Sequence, residues 1–102
     1  LSGIIRDLLT MLAADLGASS AAVGLDREID VRDEFVGDGY GIPTPGSTEA
    51  LELTARSEGV VLDPVYTAKA MAGLIHLVRT GHFTPDDRVL FWHTGGQPGL
   101  FA

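Results

Sequence analysis

The chain contains no cysteine, so it forms neither a disulfide framework nor a thiolate metal site. It has a single lysine, Lys69, and 7 basic residues against 14 acidic ones, for a net charge of -7. That balance argues against a partner recognised through a phosphate backbone, which takes clustered Lys and Arg. No apolar run approaches the roughly 20 residues that a membrane helix requires. The amino end, Leu1-Ser2-Gly3, lacks a basic region ahead of an apolar run and does not read as a signal peptide. His76, His82 and His93 lack the i, i+4 spacing of a helical metal pair and read as satisfied or solvated side chains. None of the serines sits in a nucleophile-elbow sequence.

What is present fits one small globular domain of 102 residues, with 45% hydrophobic and 21% charged side chains. Leu1, Ile4, Ile5, Leu8, Leu9, Leu12 and Leu16 repeat at helical spacing, which predicts an amphipathic helix ended by Gly17. Ala18 to Gly24 reads as a turn or a short strand at Ala21-Ala22-Val23. Ile29 to Val36 alternates and reads as an extended segment with one wet face. Gly37 to Pro43 is a loop, and Pro43, Pro45 and Gly46 delay the next helix. Ser47 or Thr48 caps that helix, which runs to about Glu58 and stops at Gly59. Tyr66 to Thr80 forms a third helix, with Ala70, Met71, Leu74, Ile75, Leu77 and Val78 on its buried side. Thr84-Pro85-Asp86-Asp87 is a turn.

Val60-Val61-Leu62 and Val89-Leu90-Phe91-Trp92 are short, wholly apolar runs, the pattern of parallel strands covered on both faces. Helices alternating with such strands predict an α/β fold: a partial, three-layer open parallel sheet with flanking helices. Right-handed crossovers bring the carboxyl ends of the two runs to one edge, where open α/β folds bind ligands. The residues just past those ends are Tyr66 and Thr67 in one case and Thr94-Gly95-Gly96 in the other. A phenol there serves as an acid or base, and Thr-Gly-Gly offers a hydroxyl beside freely approached backbone. Read on pattern alone, the commoner roles are structural: Tyr66 as a core aromatic, Thr67 as a helix cap and Thr94-Gly95-Gly96 as a tight turn. Gly37, Gly39 and Gly41 are not a dinucleotide fingerprint, but the loop presents Tyr40. Lys69, between Ala68 and Ala70, reads as a surface lysine.

Three separated segments carry a family resemblance: Tyr40-Gly41-Ile42-Pro43, Glu58 through Ile75 with Asp63-Pro64-Val65-Tyr66-Thr67-Ala68-Lys69 at its centre, and His93-Thr94-Gly95-Gly96-Gln97-Pro98-Gly99-Leu100-Phe101-Ala102. In that order they resemble the carboxyl-terminal third of the D-cysteine desulfhydrase and 1-aminocyclopropane-1-carboxylate deaminase family. These are pyridoxal-phosphate enzymes with the fold of the tryptophan synthase β subunit.

The resemblance implies roles for particular residues. Tyr66 matches the tyrosine over the cofactor and acts as substrate-facing acid or base, and Tyr40 matches a second active-site tyrosine that contacts substrate. Thr94 becomes the partner of the pyridine nitrogen, with Gly95 and Thr67 lining the cofactor. The deaminase branch carries glutamate where Thr67 stands, and His-Leu-Gly-Gly where this chain reads His-Thr-Gly-Gly. Both departures lean toward β-elimination, with D-cysteine giving pyruvate, hydrogen sulfide and ammonia. The alternatives are the deaminase, a related sulfur-substrate lyase, and a non-catalytic binding or assembly module. The resemblance also implies that residues 1–102 are an incomplete catalytic unit, inactive alone, because the family's Schiff-base lysine and phosphate loop belong to earlier sequence. A small amino-acid substrate, the remainder of the same enzyme, a homo-oligomer in the form of a homodimer, and a cytoplasmic location complete the expectation.

Overall fold

The computed structural model describes residues 1–96. They fall into two compact units, one spanning Leu1–Asp33 and the other beginning at Glu34. The first is built on helix α1, Ser2–Leu16. Gly17 closes it in the left-handed conformation at φ 60°, and the Ala18 amide bonds back to the Ala13 carbonyl at 2.9 Å. Turns follow through residue 27, and Arg6 donates to the Leu25 carbonyl at 2.8 Å, tying them to the helix. The predicted apolar stripe exists, but Leu8, Met11, Leu12 and Leu16 lie exposed and only Ala13 is buried.

The second unit contains α2, Pro45–Glu58, and α3, Thr67–Arg79, packed on each other. Their buried residues are mostly small: Ser47, Ala50 and Thr54 from α2, and Thr67, Ala68 and Gly73 from α3. Small side chains let helix backbones approach closely, and Leu62 completes this core. Gly73 also leaves room for the Phe35 ring, because a Cβ there would lie 3.1 Å from Phe35 Cδ2. Arg79 grips Glu49 through both guanidinium nitrogens, at 2.6 and 3.2 Å.

Helix α2 starts earlier than Ser47 or Thr48. Pro45 occupies its first turn, where a missing N–H costs nothing, so proline begins this helix rather than delaying it. Thr44 is the cap: its hydroxyl accepts from the Ser47 amide at 3.0 Å, and the Ser47 hydroxyl accepts from the Thr44 amide at 2.9 Å. The buried side of α3 also differs. Lys69 is buried, whereas Ala70 and Val78 face solvent.

The expected partial three-layer parallel sheet is not found. Among the described residues there are three helices and no β-strand. A strand exists through its ladder, and no backbone–backbone bond joins Val60-Val61-Leu62 to Val89-Leu90-Phe91-Trp92. Their side chains lack the double cover that an apolar parallel strand requires: Leu90 is 81% and Trp92 77% exposed. Ala21-Ala22-Val23 is a turn, and Ile29 to Val36 forms no strand either.

Replacing Thr44 with Val removes one half of the reciprocal cap while keeping side-chain volume. The expected cost is about 1 kcal/mol, read as a lower denaturation midpoint at unchanged slope.

Candidate active site

The turn that starts α3 is organised by one carboxylate. Pro64 has no N–H to satisfy, and the next three amides all point at Asp63. Val65 and Tyr66 donate to its Oδ1 at 2.8 and 2.7 Å, and Thr67 donates to Oδ2 at 3.0 Å. The Thr67 hydroxyl also donates to Oδ2, at 2.7 Å, and accepts from the Asp63 amide at 2.8 Å. The two amides of the turn and the first amide of the helix, Thr67, are thereby satisfied at the positive end of the helix dipole. Partial burial alone would raise the Asp63 carboxyl, but the bonds from Thr67, Tyr66 and Val65 together outweigh it and hold the group at about 2. The sequence signal for this turn is the threonine four residues after the aspartate.

With its backbone fixed this way, Tyr66 projects outward, 60% exposed. Its hydroxyl donates to that of Tyr40 at 2.9 Å, and the rings meet edge to face with centroids 5.8 Å apart. The hydrogen bond to Tyr40 raises the Tyr66 phenol, helped by slight desolvation and by the Tyr40 and Asp63 charges. Tyr40 stands on a loop bent by Gly37 and Gly41, both with φ near 70°, and closed by an Ile42 amide bond to the Gly39 carbonyl. Lys69 Nζ donates to the Val36 carbonyl at 2.6 Å and to that of Gly39 at 3.0 Å. It is therefore not the surface lysine its neighbours suggested. The small residues around it were the available signal, since they leave room for its stem.

The segment 93–96 lies against residues 61–63. His93 Nε2 is 2.9 Å from the Val61 carbonyl, and the Gly95 amide donates to His93 Nδ1 at 3.0 Å. A carbonyl only accepts and an amide N–H only donates, so this geometry suits the tautomer that carries its proton on Nε2. A Cβ on Gly96 would collide with the Val61 carbonyl oxygen. Gly95 adopts φ 139°, and its carbonyl lies 3.4 Å from the Thr67 hydroxyl. The one Thr67 proton already serves Asp63, so this approach is a polar contact. Thr94 is exposed and bonded to neither tyrosine.

The structure thus joins Tyr40 to Tyr66 and brings Thr67 to Gly95, while Thr94 stands apart from the tyrosines' hydrogen bond. Gln97 to Ala102 lie outside the described residues. A cavity of about 290 Å³ lies elsewhere in the second unit, among residues that include Phe35, Thr44, Ala72 and Ile75. None of the five expected site residues lines it.

The chain belongs to the family described as pyridoxal-phosphate dependent enzyme, whose model matches residues 9–95. The chain is 47% identical over 85 residues to D-cysteine desulfhydrase from Salmonella typhi, and equally so to that of Salmonella newport. The matched region is 83% of this chain and 26% of each relative, so the chain spans about a quarter of their length. Enzymes of this family depend on pyridoxal phosphate, and the chemistry of residues 94–96 is compatible with the ring end of that group. Thr94 has an exposed hydroxyl, and Gly95 and Gly96 bring no side chains. The phosphate end is not provided for at α3, because the Asp63 carboxylate fills the helix start that would otherwise take an anion.

Two outcomes follow from this geometry. The depressed Asp63 pKa stabilises the fold above the unfolded value of about 3.9, and that gain is lost as pH falls toward 2. Asp63→Asn is expected to flatten this part of the pH–stability curve, and Asp63→Ala to cost about 1 to 2 kcal/mol at neutral pH in denaturant titrations. Gly96→Ala is expected to push residues 93–96 off Val61, read as loss of slow exchange at the Gly95 amide.

Proposed function

We propose that this chain supplies the substrate-facing side of a pyridoxal-phosphate-dependent lyase that eliminates sulfide from D-cysteine, as the carboxyl-terminal part of a longer polypeptide. The observation that carries the reading is the Tyr66–Tyr40 hydroxyl pair at 2.9 Å, exposed and held from both sides. Pyridoxal phosphate, when bound, supplies the electron sink that makes an amino acid's α-proton removable. The Tyr66 phenol, raised by its bond to Tyr40, stays protonated at neutral pH, so it would serve as the acid once that bond is exchanged for one to the substrate. One of the two phenolic protons serves the hydroxyl pair, which leaves the other available to a substrate carboxylate or leaving group. Thr94 would meet the pyridine nitrogen with a hydroxyl, which does not hold a proton there as a carboxylate does. Gly95 and Thr67 would line that edge.

Exposed Val60, Val61, Val89, Leu90 and Trp92 support completion by further polypeptide, since apolar side chains in such number ordinarily find cover. Lys69 is not offered as a covalent anchor, because its ammonium is buried against two carbonyls. A homo-oligomeric, cytoplasmic enzyme is part of the same proposal.

The test is a chimera in which this chain replaces the matching segment of the Salmonella typhi desulfhydrase. It is expected to bind pyridoxal phosphate and to convert D-cysteine and water to pyruvate, sulfide and ammonia. Tyr66→Phe should lower kcat by about 10² or more. Release of 2-oxobutyrate from 1-aminocyclopropane-1-carboxylate without sulfide from D-cysteine would favour the deaminase. A folded, loaded chimera that performs neither reaction overturns the proposal.

A further inference from the structure

Lys69 is the only lysine of the chain and is 8% exposed. Burying an ammonium is expensive unless its donors are satisfied. Here the partners are two main-chain carbonyls, Val36 at 2.6 Å and Gly39 at 3.0 Å, and no carboxylate pairs with it among the described residues. Both acceptors belong to the loop that carries Tyr40, and Gly39 directly precedes that residue. Lys69 itself stands on the first turn of α3, three residues after Tyr66. A closed circuit results: Tyr66, the helix backbone, Lys69, the Gly39 carbonyl, Tyr40, and back to Tyr66 through the two hydroxyls.

We infer that Lys69 is a positioning residue, a latch that holds the Tyr40 loop against α3 so that the two tyrosine hydroxyls stay within hydrogen-bonding distance. A lysine suits this task. Its four-carbon stem crosses from helix to loop, and its ammonium has three donors, enough for both carbonyls at once. The loop needs such a restraint, because Gly37 and Gly41 lie in the left-handed region and otherwise leave it conformationally free. The latch concerns this chain's own geometry, and its consequence for turnover rests on the lyase reading above.

The chain has only two tyrosines, and both belong to this pair, so its phenolate absorbance reports on nothing else. Asp63 is the other charged group acting on Tyr66. In the unaltered 102-residue chain, Tyr66 is expected to ionise later than an ordinary phenol. Tyr40→Phe leaves Tyr66 alone and should remove most of that delay. Lys69→Met should remove it equally while far-ultraviolet circular dichroism stays unchanged, and should add nothing in the Tyr40→Phe background. In the chimera, the same substitution should lower kcat/KM for D-cysteine about 10- to 100-fold with pyridoxal phosphate still bound. Should Lys69→Met not fold, Lys69→Gln is read in its place, with the same loss expected from its shorter reach. A folded variant of either kind that keeps the late ionisation overturns the inference. Failure of both to fold also overturns it, since Lys69 would then support the whole unit. The titration needs no turnover, so it is decided separately from the sulfide-release test.

Discussion

The Asp63 carboxylate gathers three successive amides and one hydroxyl, and the geometry of the candidate site descends from that convergence. An aspartate before proline has a free choice of acceptor geometry, because the following residue brings no donor of its own. The chain then turns tightly enough that Tyr66 leaves the helix start pointing outward and Thr67 points in. One residue becomes available to a ligand because its neighbour is committed to structure. The carboxylate also closes the helix end to other anions.

Local signals in the sequence were legible where the cause was local. The apolar repeat from Leu1 to Leu16 and the glycines at 17 and 59 marked helix ends, because a left-handed closing residue is a property of the glycine itself. The start of α2 was misjudged because proline was read as a breaker, although at the first helical position it is a starter. The runs at 60–62 and 89–92 look like strands by composition, but a strand depends on its neighbours. Their apolar character is visible in one dimension, and the absence of a ladder is not.

The site was legible to a similar degree. Tyr66 and Tyr40 were singled out separately, by a turn and by a loop, and their hydrogen bond spans 26 residues that no local pattern connects. Lys69 was misread for the same reason, since its acceptors lie 33 and 30 residues earlier. His93 was read as satisfied or solvated. Its two ring nitrogens are both engaged, one by a carbonyl and the other by an amide, and this pairing suits one tautomer.

The contact between Gly96 and the Val61 carbonyl has a consequence for how such a site diversifies. Where two stretches of main chain touch, the wall beside Thr94 has the same shape whatever side chains surround it. Variation is left to the groups that project from that wall and from the loop and turn facing the solvent, so exchange at a handful of hydroxyl-bearing positions changes the chemistry of this surface most directly.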